Sequence, residues 1–390
     1  MRQVYLDYSA TTPVKKEVLD EMLPYFTEKF GNPSSLYGLG LSAKSDLSIA
    51  RGKVAKLIGA DEREIYFTSC GTEADNWAVI GTARAKKAKG NHIITTKIEH
   101  HALLHSCEYL EKEGFEVTYL GIDRDGRISL SELESAITDK TILISIMFAN
   151  NEIGSIQPIK EIGEIAKQHK IIFHTDAVQA LGNVPIDVHE LNIDLMSVSA
   201  HKIYGPKGVG ALYIRKGVAL PSFMNGGAQE NKKRAGTENM TGIVGFGKAA
   251  ELSETQIEEH IKRISGLRDY FAKEIVAKIP EVEINGGMEH RLPGNINIIF
   301  NYIEGESLLL LMDAKGIYAS TGSACSSASL TPSHVLKALN LPYEKIHSSI
   351  RFTIGDFTTK EDLDYAVEEI IKIVEKLRAI SPLYKQSMKG

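Results

Sequence analysis

Short apolar runs rich in β-branched residues recur along the chain, separated by stretches whose apolar positions repeat every three or four residues. The runs read EIYFTS (64–69), HIITTK (92–97), TILISIMFA (141–149), KIIFHTD (170–176) and DLMSVSA (194–200). Apolar runs without alternation are what strands look like when both of their faces are covered. Between them, Leu47, Ala50, Val54, Leu57 and Ile58 share one helical face, as do Ile159, Ile162, Ile165 and Ala166. Strand–helix alternation over this length predicts an α/β fold with a doubly wound, mostly parallel sheet. The pattern changes near residue 256. A long polar helix follows, then shorter strands such as NINIIF (295–300). A closing helix carries the stripe Leu363, Val367, Ile370, Ile371, Val374 and Leu377, and Thr358-x-x-Glu361 marks its start with capping-box spacing. These features predict a large domain over 15–256 and a smaller α+β domain made of 1–14 and 257–390.

Composition narrows the function classes. The chain has 390 residues, 43% hydrophobic and 24% charged, enough apolar material for a large buried core. Its net charge of −5 comes without a basic stripe, which argues against a nucleic-acid binder. No apolar run approaches the ~20 residues that span a bilayer, and MRQVYLDYSATTP lacks a signal-peptide profile. Three cysteines, Cys70, Cys107 and Cys325, are too few for a disulfide scaffold and suit a reducing compartment. A soluble cytoplasmic enzyme or binding protein is expected.

In parallel α/β sheets ligands bind at the carboxyl ends of the strands, so the residues after each run carry the functional signal. EIYFTS leads into Cys70-Gly71-Thr72-Glu73 at a helix start, HIITTK into Glu99-His100-His101, and TILISIMFA into Asn150-Asn151-Glu152. KIIFHTD ends in Asp176 with Gln179 beyond it, and DLMSVSA leads into His201-Lys202. One polar residue there is ordinary loop chemistry; five with complementary chemistry suggest a single site. A lysine just past a buried strand can be desolvated into a nucleophile toward carbonyls, although most lysines simply lie on the surface. A carboxylate ending a buried strand needs a partner, unless Asp176 only caps a helix over 177–182. Pyridoxal phosphate would supply that partner, its ring nitrogen pairing with Asp176 and its aldehyde joining Lys202. Gly71-Thr72 at a helix start, with Ser199 and His201, offers donors to a phosphate. His100 could stack on a ring and shuttle protons. Cys70 and Cys107 lie in apolar segments and read as inert core thiols.

These residues resemble the cysteine desulfurases of NifS/IscS type, class V aminotransferase relatives within the fold-type I pyridoxal-phosphate-dependent transferases. The likeness spans LDYSATTP (6–13), GNPSS (31–35), TSCGTEADN (68–76), EHHA (99–102), ANNEIG (149–154), HTDAVQ (174–179), SAHKIYGPKGVG (199–210), RAGTEN (234–239), STGSACSSASLTPSHVL (320–336) and SSIRFTIGDF (348–357). The resemblance implies roles at matching positions. Lys202 would form the Schiff base, Asp176 would hold the pyridine nitrogen, Gln179 the phenolic oxygen, and His100 would stack on the ring and act as acid and base. Gly71, Thr72, Ser199 and His201 would bind phosphate, with Thr237 contributed across a homodimer interface. Asn151 and Arg351 would hold the carboxylate of L-cysteine, a task suited to the arginine fork. Tyr8 replaces a usual asparagine and Gly71 a frequent alanine; neither departure puts the implied chemistry in doubt.

Cys325 would decide the reaction. Its surroundings, residues 320–329, are almost all Ser, Ala, Gly and Thr, which pack poorly and should leave the thiol mobile and exposed. A plain surface cysteine would look similar, but the motif resembles the longer catalytic loop of the NifS/IscS group. The implied reaction converts L-cysteine to L-alanine and leaves a persulfide on Cys325 for iron–sulfur cluster assembly or other sulfur transfer. A NifU/IscU-like scaffold is the implied acceptor, and LRAISPLYKQ (377–386) resembles the segment that docks it. A selenocysteine lyase, a class V aminotransferase or a scaffold without activity are the alternatives; a transaminase needs no thiol, and an inactive scaffold needs none of these residues. Loose dinucleotide fingerprints at Gly38 and Gly245 follow no predicted strand. The His101/His105 pair lacks a third metal ligand, so no metal site is expected.

Overall fold

The computed structural model describes residues 2–322 and 332–387. After a short β1 (Val4–Tyr5), seven strands build the central sheet: β2 (Ile65–Thr68), β3 (His92–Thr96), β4 (Glu116–Leu120), β5 (Thr141–Ser145), β6 (Ile172–Asp176), β7 (Leu195–Ser199) and β8 (Gly210–Ile214). Their spatial order is β2-β8-β7-β6-β5-β3-β4. Strands β4, β3, β5, β6 and β7 run parallel, while β8 lies antiparallel to both β7 and β2. Two reversals leave β2 pointing with the parallel set, so its carboxyl end opens on the same edge as theirs.

Strands β3, β5, β7 and β8 are buried at every position, as their unbroken apolar runs require. Successive side chains alternate between the two faces. Ile94, Ile144, Phe173 and Val198 pack on the face covered by Leu47, Val54, Ile162 and Phe246. Ile93 and Leu143 pack under Val79, Leu103 and Leu110, and Leu195 and Leu212 under Trp77. Helices therefore cover both faces, which makes the sheet doubly wound. Trp77 is fully buried and its indole N–H donates to the Pro221 carbonyl at 2.9 Å, so its burial leaves no orphan donor.

A second core lies C-terminal. Strands β9 (Val282–Ile284), β10 (Asn295–Phe300) and β12 (Ser349–Thr353) form an antiparallel sheet ordered β12-β10-β9. Phe271, Ile298, Phe352 and Val367 pack there together with Leu6. The N-terminus reaches this core because β1 pairs in parallel with β11 (Ile317–Tyr318). The long helix expected near 256 begins earlier. It runs unbroken over Met240–Lys278, 39 residues, and its N-cap Asn239 accepts from the Gly242 amide. It supplies Phe246 to the first core and Phe271 to the second. The closing helix Lys360–Ile380 is capped one residue later than its sequence suggests. Thr359 and Asp362 complete the capping box, while the Thr358 hydroxyl accepts from the Gly355 amide. Among the described residues no helix is long and apolar enough to cross a membrane.

Candidate active site

A cavity of about 260 Å³ opens at the carboxyl edge of the central sheet. It is lined by Gly71, Thr72, His100, Asn151, Asp176, Gln179, Ser199, His201, Lys202 and Arg351. They come from the ends of five strands of the central sheet, β2, β3, β5, β6 and β7, and from β12 of the second core, which is how residues hundreds of positions apart meet. Thr237 is exposed and is not among the lining residues, and Cys325 lies outside the described residues.

Lys202 sits just past β7 in a single helical turn, Ala200–Lys202. Its ammonium donates to the Ser9 carbonyl and, at 2.8 Å, to the Ala10 carbonyl. Asp176 ends β6 and is 6% exposed. One of its oxygens accepts from the Val178 amide at 2.9 Å, so it caps a turn and no helix follows over 177–182. Burial pushes its carboxyl up to about 6, against the opposing pull of the Val178 amide and Lys202. The Gln179 amide N–H₂ donates to the Ser9 carbonyl at 3.0 Å.

His100 caps the helix His101–Lys112, its Nδ1 accepting from the Ala102 amide at 3.2 Å. That bond fixes the neutral tautomer with its proton on Nε2. Burial, then Lys202 and the imidazoles of His101, His334 and His105, holds its pKa down near 4, so the ring is neutral at physiological pH. His201 is likewise held near 4 by burial, Lys202 and Lys207, and its Nδ1 meets the Thr11 hydroxyl at 3.1 Å.

The helix Gly71–Lys86 starts at the cavity without a side-chain cap. Its first amides and the Thr72 hydroxyl, with Ser199 and His201 opposite, make a donor cradle for an anion. A Cβ added at Gly71 would come within 2.7 Å of Val178 Cγ2, which shows how closely this start packs against the turn after Asp176. Arg351 is 1% exposed. Its Nη2 pairs with Asp7 at 2.7 Å, its Nη1 donates to the Asn151 carbonyl at 3.2 Å, and its Nε is buried and meets no partner among the described residues. Burial raises the Asp7 carboxyl while Arg351 pulls it back. An arginine held by one carboxylate, with an N–H still to satisfy, is equipped for a second carboxylate.

The residues present fit pyridoxal phosphate. The one cavity wall carries uncapped helix-start amides with hydroxyls that suit a phosphate, a buried carboxylate that suits a ring nitrogen, an amine, a neutral imidazole and a guanidinium. Sequence reasoning passed over Asp7 and Asp75, both at this cavity or on its arginine. The signal for Asp75 was available, since it lies three residues after Thr72 and so on the same helical face. Cys70 also differs from expectation. It lines the cavity half-buried, whereas Cys107 is a core thiol whose pKa burial pushes up.

Comparison with known proteins places the chain among relatives along its whole length. The aminotransferase class-V family matches residues 4–366. A protein from Methanosarcina thermophila named "Cysteine desulfurase IscS" is 60% identical, covering 98% of this chain and 94% of its own. One of the same name from Clostridium botulinum strain Hall is 57% identical over 100% of this chain and 98% of its own. A solved "NIFS-LIKE PROTEIN" superposes with a TM-score of 0.91 at 38% identity, covering 96% of this chain and 100% of that one.

Proposed function

The chain belongs to the class-V aminotransferase family and is a cysteine desulfurase, and from that premise we propose that the cavity takes pyridoxal phosphate, that L-cysteine is turned into L-alanine there, and that Cys325 receives the sulfur as a persulfide. The observation that carries the reading is the meeting of Asp176 and Lys202 at adjacent strand ends with the buried Arg351, whose Nε meets no partner among the described residues. Pyridoxal phosphate, when bound, supplies an electron sink for the substrate's α-carbon.

The chain's own residues do the rest. Arg351 grips the substrate carboxylate with Asn151 beside it, and its burial strengthens the ion pair. Lys202 serves as the amine nucleophile and as a proton carrier beside the substrate α-carbon. His100, neutral with its proton on Nε2, is poised first as a donor. Asp176 holds the proton on the ring nitrogen. Thr72, Ser199, His201 and the amides after Gly71 hold the phosphate. The Cys325 thiolate attacks the substrate sulfur and forms the persulfide S–S bond as the substrate's Cβ–S bond breaks; that bond's electron pair stays on the carbon side, where the bound cofactor would stabilise it, and protons carried by Lys202 complete L-alanine.

Thr237 would serve the phosphate of a partner subunit in a homodimer. Its segment is fastened by two partly buried pairs, Arg51 with Glu230 at 2.6 Å and Arg234 with Glu73 at 2.8 Å. Leu19, Leu23, Phe26, Phe30, Leu36 and Leu41 are 45–90% exposed on one N-terminal stretch, an apolar face suited to burial against a second copy. The large domain is proposed to span 15–256, with 1–14 and 257–390 as the small domain. A NifU/IscU-like scaffold is the proposed sulfur acceptor, and the cytoplasm the proposed compartment.

The test is a visible spectrum with alanine and sulfide assays on L-cysteine. The purified protein should be yellow, the colour should require Lys202, and Cys325→Ser should keep the colour and its response to cysteine while losing alanine and sulfide release. A colourless protein, or a Cys325→Ser variant at parental turnover, would overturn the reading.

A further inference from the structure

Asp75 is a second carboxyl on the cavity that none of these roles uses. It sits on the Gly71–Lys86 helix, is 1% exposed, and lines the same cavity as Asp176. Among the described residues its Oδ1 meets no hydrogen-bond partner. The groups acting on it are Asp176 and His174 from β6, Ser197 from β7, Glu99 from the turn after β3, and Cys70 at the start of its own helix. None of these is a cation; the cations on the same cavity wall, Lys202 and Arg351, act on Asp176 and Asp7.

His174 could have been one. Its Nε2 lies 3.8 Å from Asp75 Oδ1, but the ring is held between two hydroxyls. Nδ1 meets Ser145 at 2.8 Å and Nε2 meets Ser197 at 3.0 Å, and full burial drives its pKa down to about 3. It stays neutral. Ser145, His174, Ser197 and Asp75 thus form a polar network across three strands beneath the helix, without a positive charge in it.

Two buried carboxylates that line one cavity and feel each other's charge resist ionising together. Asp176 has the Val178 amide and the field of Lys202 to stabilise its charge. Asp75 has a serine hydroxyl and a neutral imidazole, and burial with the charge of Asp176 drives its pKa well up. The proton of the pair therefore belongs to Asp75.

We infer that Asp75 is a positioning residue for Asp176: a neutral carboxylic acid in the cavity wall that leaves Asp176 as the single anion facing the ring nitrogen. One negative charge then meets one ring-nitrogen proton, where two would overcharge the site. The inference rests on the proposed cofactor reading of the cavity, but its test reads the carboxyl directly.

Infrared spectra of the holoenzyme at pH 7, in water and in D₂O, should show carbonyl stretches of protonated carboxyls that shift on exchange. Asp75→Asn should remove one of them, and Glu99→Gln should remove another. Because an amide copies the neutral acid, Asp75→Asn should keep cofactor affinity within about threefold and leave the pH midpoint of the visible band within about half a unit. An infrared spectrum unchanged in Asp75→Asn, or a midpoint moved by about one unit or more, would show that Asp75 is ionised and overturn the inference. A colourless parent protein would instead defeat the cofactor reading, while the infrared bands still decide the charge of Asp75.

Discussion

Glu99 carries a charge problem in one side chain. It is fully buried, with one oxygen accepting from the Thr96 hydroxyl at 2.7 Å and the Met147 amide at 2.9 Å and the other unpartnered. Burial raises its pKa from 4.5 to about 8. A folded-state pKa above the unfolded one means that the folded form holds the proton more tightly. The contribution to stability is then complete below the unfolded value and is lost as pH rises through the folded one. Glu99→Gln keeps the two accepted bonds and removes the titration. Its melting temperature should match the parent's near pH 5 and exceed it by roughly 3 °C or more at pH 9. Parallel melting curves for the two proteins across that range would refute the assignment. Such residues mark the limit of reading by type. Lys202, Asp176, His100 and Arg351 could be picked from the sequence because reactive groups after strands, or in recognisable motifs, have few other uses. Glu99 and Asp7 could not be picked, and Asp75 only through its helical spacing from Thr72, because a carboxylate beside a motif is ordinarily solvated and only the folded chain removes its water.

At the level of elements, the helix start at Gly71 depends on the turn after β6. The Cβ of an alanine there would press on Val178 at 2.7 Å, and the contact is with the end of a side chain, so neither backbone need break. Overpacking of this kind costs about 1–3 kcal/mol and would tilt the amides of the phosphate cradle. Gly71→Ala should weaken cofactor binding by roughly tenfold, and adding Val178→Ala should restore most of it, since the two changes share one contact. Equal losses in the single and double variants, read by cofactor titration, would separate the helix start from this turn. The central-sheet strands that bear the site were legible because both faces are buried and the runs are unbroken. Two strands of the central sheet were not, nor were β1, β9, β11 and β12, the last of which carries Arg351. β4 reads EVTYL, an edge strand that begins exposed and buries only its last residue fully. β8 reads GALYI, wholly buried yet opened by a glycine. The Gly-rich start of the Met240–Lys278 helix hid in the same way, since Gly242, Gly245 and Gly247 blur its period while allowing close packing, as where a Cβ at Gly247 would lie 2.7 Å from the Ala50 backbone.

For the whole molecule the open question of chemistry is whether one chain can complete a site. Ten of the implied site residues line one cavity, while Thr237 stays on an exposed segment outside its lining. That arrangement suits a symmetric dimer in which each chain lends Thr237 to the other, the contact being isologous so that both sites are built alike. Mixing variants tests this without a structure of the dimer. Lys202→Ala should abolish turnover by itself, and Thr237→Ala should lose activity at limiting cofactor because a phosphate donor is missing. In a mixed dimer one site inherits both defects. The other pairs the intact Lys202 of the Thr237→Ala chain with the intact Thr237 of the Lys202→Ala chain. Unfolding and refolding the two variants together at equal amounts should therefore raise activity at limiting cofactor toward about a quarter of the parent's sites, the share expected from random assortment of two chains. Refolding each variant alone should give no such gain. A mixture no more active than the average of its two components would mean that Thr237 serves its own chain, and that the fastened segment around Glu230 and Arg234 has another purpose.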